Sequence, residues 1–432
     1  MESIPQFLSH FTSIFTRPAF AHFKRLIEGF LEVHRPTAVT QLNRHKPPTE
    51  HFSTVYDFFN RSAWHTLTLA TALLSWLLTE VQPGKRVILA IDDTKAFKPH
   101  GPRIEGTCWH AEHHRLVQAK VKTADGQELK ATGVVGQRGH CWVVVGLLHQ
   151  LAPGHWCCFP LRAGLFVRQK HCKYGFQDKI EIGLKLVEEL KPSSEALLVG
   201  DNFYGAPRLV NELSGHILSH LKHTAVAYTF SEALPTGKRG RPKRYGEKVQ
   251  LVSALDDPLK LKQHTLQVYG QEQTIEIASF TGLLRSHARP VKIVLVKGLR
   301  KTHFLLFTTD LRLTDEQMVE YYAARFQIEI TFRELKQDLG AFNYRLRSEV
   351  GIGRYLQVAF VAYALVKHLA IQGCVKPKAT AWYHPKGLAS PARVQEAAAQ
   401  YFQAQRIFRG VLQQGLLAKN ISPDEFMQFW AS

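Results

Sequence analysis

The 432 residues carry 55 Lys and Arg against 36 Asp and Glu, a formal charge of +19, and 45% of them are hydrophobic. That much apolar material excludes a disordered polycation and suffices for two or three domains of about 150 residues, while the charge calls for a polyanionic partner. The six cysteines lack a C-x-x-C pair, the N-terminus shows no secretion pattern, and the longest apolar runs, near 67–78 and 355–366, are shorter than the roughly 20 residues of a membrane span, so a soluble protein in a reducing, cytoplasmic compartment is expected.

Residues 1–82 read as a helical N-terminal domain, with a Pro-containing break at Arg44–Thr49 and Leu67, Leu69, Ala70, Leu73, Leu74 and Leu77 at near-helical spacing. DNA binding is its expected role; a helix-turn-helix and a plain packing domain are both open. From 83 the texture changes. Val87–Ile91 is a continuous apolar run, as in a buried strand, and it ends at Asp92 and Asp93. Cys141–Val145 and Trp156–Phe159 are further strands, Ile180, Leu184, Val187 and Leu190 mark a helix that stops before Pro192, and Ala196–Val199 leads to Gly200 and Asp201. Residues 83–230 are therefore expected to form the first part of a mixed α/β core with its ligand site at strand ends.

Residues 231–312 read as a β-rich insertion, from the strand-like runs Val249–Val252, Thr265–Tyr269, Thr274–Phe280, Val291–Val296 and Phe304–Phe307. It opens with a basic Gly/Pro segment, 236–245, that suits neither helix nor central strand. The core resumes over 313–370. Thr314-Asp-Glu-Gln317 is a capping box, predicting a helix from Asp315 to Leu339 that stops at Gly340, and a further apolar helix is expected over Tyr355–Leu369. A Pro-containing loop and a helical tail fill 371–432.

Tyr322, Arg325, Glu329 and Lys336 project within an arc of about 60° on the helix that follows the capping box. The row borders the apolar stripe of Tyr321, Ile328, Phe332, Leu335 and Leu339. Most helices carrying Arg, Glu and Lys are amphipathic surface helices with ordinary ion pairs. This spacing also lets Glu329 ligate a metal while two cations and a phenol hold phosphate oxygens. Asp92 and Asp201 at strand ends, with Glu329 from a helix, form an all-oxygen set of the kind divalent ions prefer. Asp93 is expected to face away from Asp92. Asp310 competes as a third acid but reads as the turn before the capped helix.

The four helix residues match a Y-x2-R-x3-E-x6-K signature, and from about 85 to 345 the chain resembles the RNase H-like DDE transposases of bacterial insertion sequences. Phe326 stands where many members carry Trp. Asp92-Asp93-Thr94 resembles the first acid's Asp-x-Thr context, Asp201 within Val199–Gly205 resembles the second acid, and a β-rich insertion before the third acid is a family feature. The resemblance implies an α/β, RNase H-like catalytic core interrupted by a β-rich insertion. Asp92, Asp201 and Glu329 would be catalytic and would bind a pair of Mg2+ ions, with Mn2+ substituting. Tyr322, Arg325 and Lys336 would hold the DNA backbone. The implied activity is metal-dependent cleavage at transposon ends and strand transfer into target DNA, by cut and paste. The implied partners are double-stranded DNA, as terminal inverted repeats and target, and a second copy of the chain, in a bacterial cytoplasm near the nucleoid. A catalytically silent DNA-binding relative and a site-specific nuclease without strand transfer are the alternatives.

Arg239-Gly-Arg-Pro242 resembles the core of an AT-hook, in which Arg239 and Arg241 would enter the narrow minor groove of A·T-rich DNA. A sequence-neutral basic loop on phosphates is the competing reading. His110, His113 and His114 near Cys108 close no four-ligand zinc set. P-loop, dinucleotide-binding and nucleophile-elbow patterns are absent from the sequence.

Overall fold

A computed structural model of the chain describes residues 3–98, 101, 103–122, 128–172, 175–231, 244–378 and 387–413, with the backbone alone described for 111–122 and 128–135. The N-terminal helices are α1 (Ser3–Ser9), α2 (Arg17–Glu32), α3 (Val39–Leu42), α4 (Thr54–Asn60) and α5 (Thr66–Trp76). They converge on an aromatic core. Phe7 meets Phe11 and Trp76 edge-on, with ring centroids 5.1 and 4.6 Å apart, and Phe58 stacks on Trp64 at 5.2 Å.

The remaining chain builds β1 (Ile88–Phe97), β2 (Cys108–Lys122), β3 (Glu128–Ala152), β4 (His155–Phe166), α6 (Lys179–Leu190), β5 (Leu197–Gly200), α7 (Pro207–Glu212) and β6 (His216–Leu221). After these come β7 (Val226–Phe230), β8 (Tyr245–Gln250), α8 (Leu251–Leu255), β9 (Lys262–Val268), β10 (Gln271–Gly282), β11 (Val291–Lys297) and β12 (Phe304–Thr308). The chain then runs through α9 (Asp315–Ala324), α10 (Phe326–Gln337), α11 (Glu349–Ile371) and α12 (Pro391–Gln413). One mixed sheet has the strand order β2-β3-β1-β5-β6-β12-β11-β10-β9, with β4 paired to β3. Within it β1, β5 and β6 run parallel to their neighbours in that trio, and the other pairings are antiparallel. β7 and β8 pair separately.

Several expectations need adjustment. The strands after 260 extend the core sheet, because β12 pairs with β6. Of the strand expected over Val249–Val252 only Val249 and Gln250 are extended, as the end of β8, and Leu251 and Leu255 turn inward on the short α8. β2 and the first half of β3 follow no clear period-two pattern and escape a periodicity reading. The helix after the capping box divides at Arg325, where the Ile328 N–H bonds back to the Arg325 carbonyl in a tightened turn. It ends at Gln337, short of the expected Leu339, while Gly340 does take the left-handed conformation, at φ +59°, where a Cβ would meet the Pro36 carbonyl.

α11 runs 23 residues and is apolar enough in length and composition to cross a bilayer, but it is mostly buried inside the protein. It packs against β4, α2, α4, α5 and α12, while α10 lies across β1 and β4. Polar side chains fix these contacts. Arg354 donates to the Phe59 and Trp64 carbonyls at 3.1 and 2.6 Å, and Gln357 donates to the Leu161 carbonyl at 2.8 Å. Lys367 on α11 pairs with the buried Glu334 of α10 at 2.7 Å.

Candidate active site

β1 continues past its apolar run through both aspartates, and strand alternation sends them to opposite faces. Asp92 Oδ2 accepts from Arg325 Nη1 at 3.1 Å, and Asp92 Oδ1 accepts from the Asp93 N–H at 2.7 Å. Asp93 turns to α6, where its Oδ2 accepts from Lys179 Nζ at 2.8 Å and from Cys141 Sγ at 3.4 Å. Asp201 follows directly on β5. The parallel register pairs Ile91 with Gly200, so one residue further Asp92 lies beside Asp201. The Asp201 Oδ1 accepts from the Phe203 and Tyr204 N–H groups at 3.0 and 3.2 Å, and its carbonyl accepts from Ser219 Oγ at 2.7 Å. The turn after a buried strand thus orients this carboxylate with backbone donors.

Glu329 comes from α10, one helical turn beyond Arg325. Arg325 Nη2 donates to Glu329 Oε1 at 2.8 Å, so a single guanidinium bridges a strand acid and a helix acid. Burial, opposed chiefly by Arg325, pushes the Asp92 carboxyl up to about 6, with the charges of Asp201 and Glu329 adding to the rise. Burial works against the Arg325 charge, but Asp92 and Glu329 outweigh it and hold its pKa above the ordinary value. The Arg325 Nε is buried without a hydrogen-bond partner among the described residues.

Whether a divalent ion fits follows from the donors and their charge. The donors are all carboxylate oxygens, three acids set against the one guanidinium of Arg325, and burial, with a smaller contribution from the neighbouring acids, disfavours the bare charge on Asp92. In type and charge the set suits a hard dication. Among the described residues, however, no group of three His, Cys, Asp or Glu side chains is assembled tightly enough to hold a metal as it stands, since Arg325 lies between Asp92 and Glu329.

The other members of the helix row are spread out. Tyr322 is buried, with its ring 6.3 Å from His220 and the Arg325 guanidinium 5.9 Å away. Burial raises its hydroxyl pKa, and Asp201 contributes to the same shift. Lys336 stands seven residues beyond Glu329, about 10 Å along the helix. Its ammonium lies 5.8 Å from the Phe342 ring, and burial lowers its pKa. Sharing a face therefore does not bring Lys336 to the same point as Arg325. Arg239 and Arg241 lie outside the described residues. Asp310 is paired with Arg86 at 2.7 Å and Arg312 at 3.1 Å. Cys108 and His110 face each other at 3.2 Å in the interior, and the side chains of 113 and 114 lie outside the described part.

Sequence reasoning passes over His220 and Lys179. Carrying the Val199–Leu218 register two residues on sets His220 beside Asp201. The short His216–Leu221 run that carries His220 was not read as a strand from the sequence, and no local pattern gives its neighbour across the sheet.

Residues 10–282 match the family described as DDE superfamily endonuclease. The matched segment includes Asp92 and Asp201 and ends before Glu329. The structure of a piggyBac transposase synaptic complex with hairpin DNA is similar with a TM-score of 0.36 at 9% identity, over 79% of this chain and 56% of that one. The chain thus spans little more than half the length of that transposase. No curated protein matches it. The match extends over more than half of the sequence, and the chain belongs to the DDE superfamily endonucleases.

Proposed function

We propose that this chain is a DNA transposase of the bacterial insertion-sequence type, with an RNase H-like core, that cleaves phosphodiesters at transposon ends and joins the freed end to target DNA. The observation that carries the reading is the convergence of Asp92 and Glu329 on Arg325, with the Asp201 charge felt by Asp92. The strand sequence β1-β3 antiparallel, then β1-β5-β6 parallel, supports the core assignment.

Endonucleases of this superfamily generally use divalent metal ions. Here Asp92, Asp201 and Glu329 would hold them, Mg2+ being the proposed ion, and bound metal would activate the attacking oxygen and neutralise phosphoryl charge. In cleavage, a water oxygen bonds to phosphorus, the P–O3′ bond breaks, and the 3′-oxygen takes up a proton. In joining, that 3′-hydroxyl is the nucleophile and a target-strand 3′-oxygen leaves. The chain's own contribution is positioning. Arg325 uses only part of its donor set on the two acids, leaving N–H groups for a phosphate oxygen. Tyr322 and Lys336 extend that contact along the backbone. Two copies would bring two ends together in the bacterial cytoplasm, and the Arg239–Arg241 segment would add a minor-groove or phosphate contact.

Two other readings have a definite signature. Arg325 neutralising the acids, with no three-ligand group assembled among the described residues, is what a silent DNA-binding relative would also present. The test is to incubate the full chain with labelled DNA carrying the inverted repeats that flank its gene, in Mg2+ or Mn2+, beside Asp92→Asn, Asp201→Asn and Glu329→Gln. The expected result is cutting and joining by the wild type, and binding without cutting by each variant. Binding without cutting by the wild type would instead establish the silent relative, and cutting without a joined product the simple nuclease.

A further inference from the structure

The acid row continues into a cationic ridge. His220, beside Asp201 by register, has its ring 6.1 Å from Phe304 and nearly parallel to it, at 16°. Arg300, from the turn between β11 and β12, lies 4.8 Å over Phe304 and 6.0 Å from the Tyr322 ring. The same turn carries Lys301 and His303, and the end of β6 leads to Lys222 and His223, whose ring lies 4.8 Å from that of His303. β6 and β12 are adjacent strands, pairing Leu221 with Leu305, so both segments emerge at one edge of the site.

Lys222, His223, Arg300 and Lys301 are exposed, and among the described residues none of them has a carboxylate partner. Elsewhere many of this chain's cations are engaged: Lys179 by Asp93, Arg208 by Asp178, Arg312 by Asp310. The ridge is a concentration of available positive charge abutting the second acid. Burial lowers the His220 pKa, with Arg300 and His223 acting in the same direction and Asp201 opposing.

We propose that Lys222, His223, Arg300, Lys301 and His303 form a track for the phosphodiester backbone of duplex DNA, delivering it past His220 to Asp201. The proposal rests on the transposase reading and adds a contact surface that the helix signature does not contain. Charge and exposure select a polyanionic strand over a small anion, since the donors come from two segments that leave adjacent strand ends.

The test is fluorescence anisotropy of the full chain with a labelled duplex in EDTA, from 50 to 300 mM KCl. Removing one cation that neutralises a phosphate should reduce the slope of log Kobs against log[KCl] by about 0.9. Arg300→Ala/Lys301→Ala is expected to flatten the slope by about 2 and to weaken binding at least tenfold at low salt. Arg300→Lys should keep the wild-type slope, and Lys185→Ala/Lys191→Ala on α6 and its C-terminal cap should do the same. A wild-type slope in Arg300→Ala/Lys301→Ala would overturn the track while leaving the transposase reading intact. Absence of duplex binding by the wild type would overturn both.

Discussion

Asp92 is the residue at which stability and the proposed chemistry pull apart. Its carboxyl moves from 3.8 in the open chain to about 6 when folded, so the charged form is disfavoured in the native state. For an acid shifted upward, the penalty is absent below the unfolded pKa, grows between about 4 and 6, and is fully present above 6. Two units correspond to about 3 kcal/mol. Asp92→Asn should therefore stabilise the metal-free protein at pH 7 by about 1–3 kcal/mol, with the gain vanishing near pH 4, measurable by urea denaturation at both pH values. A drop in stability at pH 7 would mean that the Arg325 interaction outweighs the burial cost. Asp92 was legible in the sequence as an acid ending an apolar run, and so was the opposite facing of Asp93. The guanidinium bridge was not, because Arg325 and Asp92 are far apart along the chain and only the packing of α10 on β1 brings them together.

At the scale of elements, α10 holds Glu329 where it is, and the buried Glu334–Lys367 pair holds α10 to α11. Both side chains are almost fully removed from solvent, and Tyr363 donates its hydroxyl proton to Glu334 as well. Removing one partner strands a charge in a dry interior. Lys367→Leu alone should cost about 3–5 kcal/mol, whereas Glu334→Leu/Lys367→Leu should recover most of that, as a double-mutant cycle in urea would reveal. Equal destabilisation in single and double variants would assign the interaction to packing alone. The capping box at Thr314 and the glycine stop at Gly340 were readable because each is a local backbone requirement. The division at Arg325 was not: no Gly or Pro marks it, and the wheel drawn through it assumes a straight helix. β9 to β12 were readable as strands from their own residues, but their union with the core sheet depends on the β6–β12 pairing, which no local pattern encodes.

Across the whole molecule, the N-terminal helices share one apolar core with the sheet. Phe30 and Phe59 pack on Tyr355 with ring centroids 5.6 and 5.7 Å away, and Arg354 ties the α4 end to α11. At the other end Gln395 of α12 donates to the Phe30 carbonyl at 2.7 Å, and Arg406 pairs with Glu32 at 2.6 Å. A chain of residues 83–432 alone should expose that face of α11 and fail to fold cooperatively, seen as disappearance of near-UV circular dichroism and of a single urea transition. A native-like spectrum would make the first 82 residues an independent module. The composition anticipated a large core, yet it could not say that α2, α4 and α12 all close over the same helix, α11.

The Arg325 bridge has one more consequence. It supplies positive charge to Asp92 and Glu329 from within the polypeptide. Under the proposed metal-dependent reading, folding and loading would thereby be uncoupled, unlike in small domains whose structure is born only when zinc is captured, and the chain would complete its fold in metal-poor surroundings.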